Sequence, residues 1–337
     1  MTFMHFVRIA LTASLATLAF AADADRTGLP LNQTASRGIV TRDPSTIVKS
    51  GNDYWVFYTG RGIPSYHSKD LLKWEPGPPV FQSAPEWIAA AVPANRNMSY
   101  WAPDIIHLGN RYLLYYSVSS FGKITSAIGL ATTPTLDPAD PAYHWTDHGP
   151  VVQSHEGQSH EGGDFNTIDP SVFHDDDGTL WLAFGSYWSG IKLVQLDPKT
   201  GMRSNPEAPL IALAYNRSIE ASCLYKHDGY YYLFVNWGSC CKGVDSTYNI
   251  RVGRSRKVTG PYLDQDGVDM LHNGGTLFLG NRPPLFGPGH AAFLRDGDKT
   301  WFTSDFEGDT RMGGKATLAI MPLHWKSGWP EAEVVDK

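Results

Sequence analysis

The sequence predicts an all-β, five-bladed β-propeller with its functional site in the central funnel. Two observations carry that expectation. Five turn signals each lead into a β-branched and aromatic strand, and five short apolar strands just upstream of them each begin on a polar residue. No convincing long amphipathic helix follows the first two dozen residues, so helical architectures have no support.

In chain order, Asn52-Asp53 leads into YWVFYTG and Gly109-Asn110 into RYLLYYSVSS. Asp177-Gly178 leads into TLWLAFGS, Asp228-Gly229 into YYYLFVNWG, and Asp296-Gly297-Asp298 into KTWFTSDF. Asx and Gly at these positions supply the positive φ that tight hairpin turns need. The upstream strands read RDPSTIV, WAPDIIH, IDPSVFH, IEASCLY and GHAAFLR. Their leading polar residues are Asp43, Asp104, Asp169, Glu220 and His290, at intervals of about 50 to 70 residues, near the period of about 50 of larger propeller repeats.

In a propeller the innermost strand of each blade runs along the central channel, so residues at one place in every repeat converge on a ring. Any one of these carboxylates alone reads as an ordinary turn residue, because Asp-Pro is a common turn pair. Recurrence is what argues for a ring. Burying such groups without partners or solvent is costly, so a water-filled funnel with a chemical task is expected. One protonated carboxyl beside an ionised one is what glycosidic hydrolysis needs, and neighbouring like charges split their pKa values. On the residues alone, a metal cluster or a binding funnel is equally compatible.

Composition narrows the partners. Of 337 residues, 28 are Lys or Arg and 34 Asp or Glu, a formal charge of −6 with no basic tract beyond Arg251, Arg254, Arg256 and Lys257. Phosphate neutralisation needs a basic patch, so no nucleic-acid partner is expected. With 11 Trp and 16 Tyr, the chain has the flat apolar faces that a neutral sugar surface uses. Residues 9–21 are apolar and end in Ala19-Phe20-Ala21, so 1–21 reads as a signal peptide, 22–35 as a lead segment and 36–337 as one propeller domain. That leading run is too short for a good span and no later run is long enough, so no membrane partner is expected. Cys223, Cys240 and Cys241 are an odd number, which excludes a fully paired framework, and adjacent Cys240 and Cys241 fall outside the usual disulfide geometry.

The segments RDPSTI, SYWAPDI, FNTIDPSVF, GTLWLAFGSYWSGI, IEASCLY, DGYYYLFVNWGSCCKGVDSTYNIRVGRSRKVTGPY and GPGHAAF, in that order, resemble glycoside hydrolase family 43 and specifically its endo-α-1,5-L-arabinanase branch. The resemblance covers roughly residues 36–330 and implies a five-bladed propeller and an inverting hydrolase. It implies Asp43 as general base, Glu220 as general acid, and Asp169 as an ionised neighbour that raises and orients Glu220. Inversion implies acid and base carboxyls about 6.5–9.5 Å apart, against about 5–5.5 Å for retention. The resemblance further implies substrate contacts from Asn166, Thr167, Ile168, Asp169, Ser186, Tyr187, Trp188 and the Gly122 backbone, with Trp188 and Trp101 suited to stacking on arabinose. His290 in GPGH matches an axial histidine that helps hold a solvated cation, often calcium. No organic cofactor is implied.

The expected protein is therefore a secreted monomer, or a periplasmic one in a bacterium, acting on arabinan or arabino-oligosaccharides. Three departures from the pattern bear on subsites. The loop HEGQSHEGGDF is longer and carries His155, Glu156, His160 and Glu161; Ser222 stands where the branch often has Pro; and HNGGTLFLGNRPPLFGPGH is altered near its end. These leave exo action, an α-L-arabinofuranosidase or a β-xylosidase of the same fold, as the alternative, and a non-catalytic carbohydrate-binding propeller as a remote one. The sequons at Asn32, Asn97 and Asn216 permit glycosylation in a eukaryotic source.

Overall fold

The computed structural model describes residues 36–157 and 164–334. The expected signal peptide and lead segment, and His160 and Glu161, lie outside the described residues. Five antiparallel sheets follow one another along the chain. Blade 1 is Val48–Ser50, Asp53–Phe57, Ser65–Ser68 and Glu75–Gly77, and blade 2 is Ser99–Leu108, Arg111–Val118, Ser126–Thr133 and Thr146–Ser154. Blade 3 is Ser171–His174, Leu180–Phe184, Ile191–Leu196 and Ile211–Ala214, and blade 4 is Ile219–His227, Tyr230–Trp237, Asn249–Ser255 and Thr276–Leu279. Blade 5 takes Leu285–Asp296, Lys299–Asp309 and Lys315–Lys326 from the end of the chain and Ser36–Val40 from its beginning. That last pairing, Ser36 with Ala319 and Val40 with Thr317, closes the ring.

Each of the five turn signals stands between the first and second strands of a blade. The second strands read as nearly continuous apolar runs because both of their faces are covered. Leu113 and Tyr115 pack toward blade 3 with Leu182 and Phe184, while Leu114 and Tyr116 pack toward blade 1 with Trp55 and Phe57. In blade 4, Leu233 and Val235 meet blade 3 residues Ile191 and Leu193, while Tyr232 and Phe234 meet Phe293 and Phe302 of blade 5. Leu318 and Ile320 of blade 5 meet Tyr54 and Val56 of blade 1. The core is thus five slabs between neighbouring blades.

The innermost strands share a backbone irregularity. Asp43, Ala102, Asp169, Ala221 and His290 all have left-handed φ, between 40° and 58°. The ladders slip at Trp101/Asp104, Glu220/Cys223 and Gly289/Ala292, as a bulge requires. In three blades the next residue is Pro44, Pro103 or Pro170, which biases its predecessor away from the right-handed helical region. Ser222 occupies that slot in blade 4. The phase expected from sequence is thereby corrected: Ala102 and Ala221 are the equivalents of Asp43, Asp169 and His290, with Asp104 two residues later and Glu220 one residue earlier.

Hydrogen bonds link the blades around this ring. Ala102 N–H donates to Thr59 Oγ1 at 2.8 Å, and Asp169 N–H donates to Ser117 Oγ at 2.9 Å. Ala221 N–H donates to Asp169 Oδ2 at 3.1 Å, and His290 N–H donates to Asn236 Oδ1 at 3.2 Å. His290 Nε2 lies 3.1 Å from Asp43 Oδ1, which joins blade 5 to blade 1.

Asp104 is a staple in the same ring. Its Oδ1 accepts from Thr46 N–H at 3.0 Å, ahead of blade 1, and its Oδ2 accepts from Val172 N–H of blade 3 at 2.8 Å. Losing a buried charged acceptor costs about 1.5–3 kcal/mol per bond. Asp104→Ala is expected to lower stability by about 3 kcal/mol or more in denaturant titration while leaving the properties of the central cleft intact. Asp104→Asn should rescue little, because an amide offers one acceptor oxygen to two N–H donors.

Candidate active site

The ring opens on one face into a cleft of about 810 Å³. Asp43, Trp101, Gly122, Asn166, Ile168, Asp169, Ser186, Tyr187, Trp188, Glu220 and His290 all line it. Thr167 is fully buried, outside that lining, and its N–H donates to Ser126 Oγ at 2.9 Å. Asn166 lines the cleft while its Oδ1 accepts from the same Ser126 hydroxyl at 2.6 Å. Tyr187 and Trp188 are left-handed, at φ 54° and 36°, and the turn they make leaves the Trp188 side 41% exposed to the cleft mouth. Trp101 Nε1 donates to Ser99 Oγ at 3.2 Å.

Asp43 is held from two sides, by His290 and by Thr59 Oγ1, which donates to Oδ2 at 2.5 Å. Burial would raise its pKa, but the charge and hydrogen bond of His290, with Thr59 and Arg42, bring it below the usual carboxylate value. For His290 the balance is the mirror image. Burial favours the neutral ring, and Asp43, with Asp169 and Asp305 behind it, reverses this and pushes the imidazole up to about 10.

Glu220 and Asp169 are shifted the other way. Burial, opposed by His290 and reinforced by Glu220 and Asp43, pushes Asp169 up to about 7. Glu220 is also raised, mainly by burial, although hydrogen bonds from Tyr248 and Ser186 oppose the shift. Tyr248 Oη donates to Glu220 Oε1 at 2.6 Å and Ser186 Oγ to Oε2 at 2.8 Å. The site therefore contains one carboxylate fixed in its ionised form and two that retain a proton more readily than free carboxyls.

Tyr248 was not singled out in the sequence. It precedes the third strand of blade 4 and reaches the cleft because residue 289 is Gly: a Cβ there would lie 2.8 Å from the tyrosine ring. Asn236, Thr59 and Asp305 were missed as well. Each is a polar residue inside an aromatic strand or just after one, and that interruption is the only signal they give. Asp305 is fully buried, one strand across from Gly289, and neither of its oxygens has a hydrogen-bond partner.

One wall of the cleft is the adjacent pair Cys240 and Cys241, joined as a disulfide, with Cys223 free and buried elsewhere. Cys241 N–H donates to both oxygens of Glu307, at 2.7 and 2.8 Å. Cys240, Cys241 and Glu307 place side-chain sulfur and oxygen atoms within 4.8 Å of one another, the one such grouping among the described residues, and it could hold a metal only with the disulfide reduced. His290 is not part of it. In the departing loop His155 is exposed, and Glu156 pairs with Lys123 at 3.1 Å.

The sequence profile described as Glycosyl hydrolases family 43 matches residues 39–330. The chain is 37% identical, over 88% of each sequence, to the extracellular exo-α-(1→5)-L-arabinofuranosidase ArbA of Cellvibrio japonicus. It is 38% identical, over 97% of each sequence, to the extracellular endo-α-(1→5)-L-arabinanase 1 of Bacillus subtilis. Among solved structures, an exo-1,5-α-L-arabinanase from a bovine ruminal metagenomic library superposes with a TM-score of 0.82 at 36% identity, covering 90% of this chain and 99% of that one.

The hydrogen bond from Tyr248 stabilises the ionised form of Glu220, so removing it must raise the carboxyl's pKa further. Tyr248→Phe is expected to move the Glu220 titration, followed by carboxyl ¹³C NMR, to higher pH. A downward move or none would mean that Tyr248 does not tune this group.

Proposed function

The chain belongs to glycosyl hydrolase family 43 and is a glycoside hydrolase, and from that premise we propose that it cleaves α-1,5-linked arabinan internally with inversion, using Asp43 as base and Glu220 as acid. The observation that carries the role assignment is the opposite electrostatic bias of the two groups: His290 and Thr59 hold Asp43 below the usual carboxylate range, while burial pushes Glu220 above it. An ionised carboxylate can take a proton from water as that water attacks the anomeric carbon, and a protonated one can deliver its proton to the departing oxygen. Asp169 accepts a hydrogen bond from Ala221 N–H, next to Glu220, which supports an orienting role, and its rise to about 7 departs from the ionised neighbour that the resemblance implies.

Trp188 and Tyr215, 41% and 40% exposed at the mouth of the cleft, offer flat faces for sugar rings. At about 810 Å³ the cleft is near the top of the range of about 300–1,000 Å³ that encloses one small ligand, which supports occupancy by several sugar units. The relatives named as extracellular support export, with residues 1–21 as the signal peptide. Among the described residues no helix is long and apolar enough to cross a membrane.

A calcium ion fits behind the carboxylates. Asp305 offers a buried, unpartnered hard oxygen of the kind calcium takes, and His290 lies beside it. Asp305 would hold the ion, whose positive charge would offset the crowded carboxylates, and His290 would join it only as a neutral ring whose Nε2–H still donates to Asp43. His290 itself would keep its hold on Asp43.

Exo action is the second reading, favoured by the two relatives named as exo-acting. Viscosity and reducing ends followed together on debranched linear arabinan separate the two. Endo action is expected to drop the viscosity early and release mixed oligosaccharides. A single short product with viscosity almost unchanged would establish attack from a chain end.

A further inference from the structure

The one basic cluster of the sequence has no part in the cleft. Arg254 and Arg256 lie at the far end of Asn249–Ser255 and just after it, beside Tyr230. Glu220 and His227 lie near the two ends of the blade's first strand, seven residues apart and two strands over, so the cluster stands about 20 Å from the carboxylates on the opposite face of the ring. There, blade 4 and the C-terminal strand Trp329–Ala332 enclose a groove of about 490 Å³.

Its cations are stacked in a fixed order. The Arg254 guanidinium lies 4.6 Å from the ring centre of Trp329 and 4.6 Å from that of Tyr230, and Arg256 lies 3.5 Å from the Tyr230 ring. Arg254 Nη1 also donates to Gly328 O at 2.8 Å, and a Cβ on residue 328 would meet that nitrogen at 2.8 Å. Arg256 Nη1 donates to Gly229 O at 3.3 Å. Stacking occupies the guanidinium faces and leaves most of their edge N–H donors for a ligand.

Among the described residues no carboxylate forms an ion pair with Arg254, Arg256 or Lys257. The groove does contain Asp264, but its oxygens are occupied by the N–H groups of Asp266, Val268 and Gly275. Three cations without an ion pair are thus gathered in one groove against the single charge of Asp264, in a chain of net charge −6. Residues two apart along an extended chain are about 6.6 Å apart, which suits successive anionic groups on one polymer better than a single small ion.

We propose that this groove is a second saccharide site that binds a uronate-bearing polysaccharide, with Arg254 and Arg256 receiving its carboxylates. The proposal rests on the reading of the chain as a polysaccharide hydrolase, but its test reads binding without turnover. A bound acidic chain would tether the enzyme to a charged matrix while the opposite face works on a neutral one.

The test is affinity electrophoresis of the whole chain in gels containing polygalacturonate, with neutral debranched arabinan and inorganic phosphate as comparison probes. Retardation by polygalacturonate is expected, weakened at least about tenfold in Arg254→Gln/Arg256→Gln and unchanged in Glu220→Gln. Arg254→Lys/Arg256→Lys keeps the charge and lacks the fork, so it should also bind more weakly, with thermal unfolding confirming that both variants fold. Absence of retardation, or retardation retained by both double variants, overturns the proposal. Displacement by millimolar phosphate would make the groove a free-anion site, and neutral arabinan retarded through the same arginines would make it a neutral-sugar site; either result also overturns it. No hydrolysis of arabinan by the unsubstituted enzyme, with polygalacturonate binding intact, would instead count against the proposed activity alone.

Discussion

The contact between His290 and Asp43 is where the fold and the site become the same thing. It closes the ring of inter-blade hydrogen bonds between the last blade and the first, and it holds one carboxylate ionised in a place where burial favours the neutral form. A buried ion pair of this kind contributes little net stability, because desolvation offsets the attraction. Stability comes from the five apolar slabs between blades. The polar ring determines how the blades are rotated about the axis, and hence where the carboxylates stand.

A left-handed residue within or just before each inner strand is the backbone device behind this arrangement. A non-glycine residue in that region costs roughly 1–2 kcal/mol, so five of them persist only because the neighbouring blades over-determine them. The left-handed turn points Asp43, Asp169 and His290 toward the axis, and in blade 4 it falls on Ala221, so that Glu220 is offset by one position and Ser186 and Tyr248 reach its two oxygens. Beneath them the central channel narrows to a cavity of about 20 Å³, lined by Pro44, Pro103 and Pro170 among others. The chemistry therefore faces one side of the molecule only, and the other face, with its stacked arginines, is free for a different task.

The hairpins were legible because turn chemistry is local: Asp177-Gly178 and Asp228-Gly229 need no tertiary context to be read. The blade count followed from their recurrence. The inner-strand phase was legible only in part, since Ala102 and Ala221 give no polar signal and the following Pro marks the left-handed position in three blades only. Tyr248 could not be read and Asp305 shows only as a polar interruption of its strand, because their roles depend on what Gly289 allows to approach across blades 4 and 5. The Cys240–Cys241 pairing lay outside the geometry normally expected of adjacent cysteines, and its place on the cleft wall depends on how the loop docks against Glu307. Thr167, expected among the substrate contacts, sits behind the wall as part of its support.

Comparing Glu220→Gln on two substrates tests the division of labour most directly. Linear arabinan needs a proton on its leaving oxygen, whereas a 2,4-dinitrophenyl α-L-arabinofuranoside does not. The account expects kcat/KM on arabinan to fall by about 10²–10⁴ while the activated glycoside is turned over almost as well as by the parent enzyme. Equal losses on both substrates would contradict the assignment of Glu220 as the acid, and with it the claim that the ring exists to hold one carboxylate charged and its neighbour protonated.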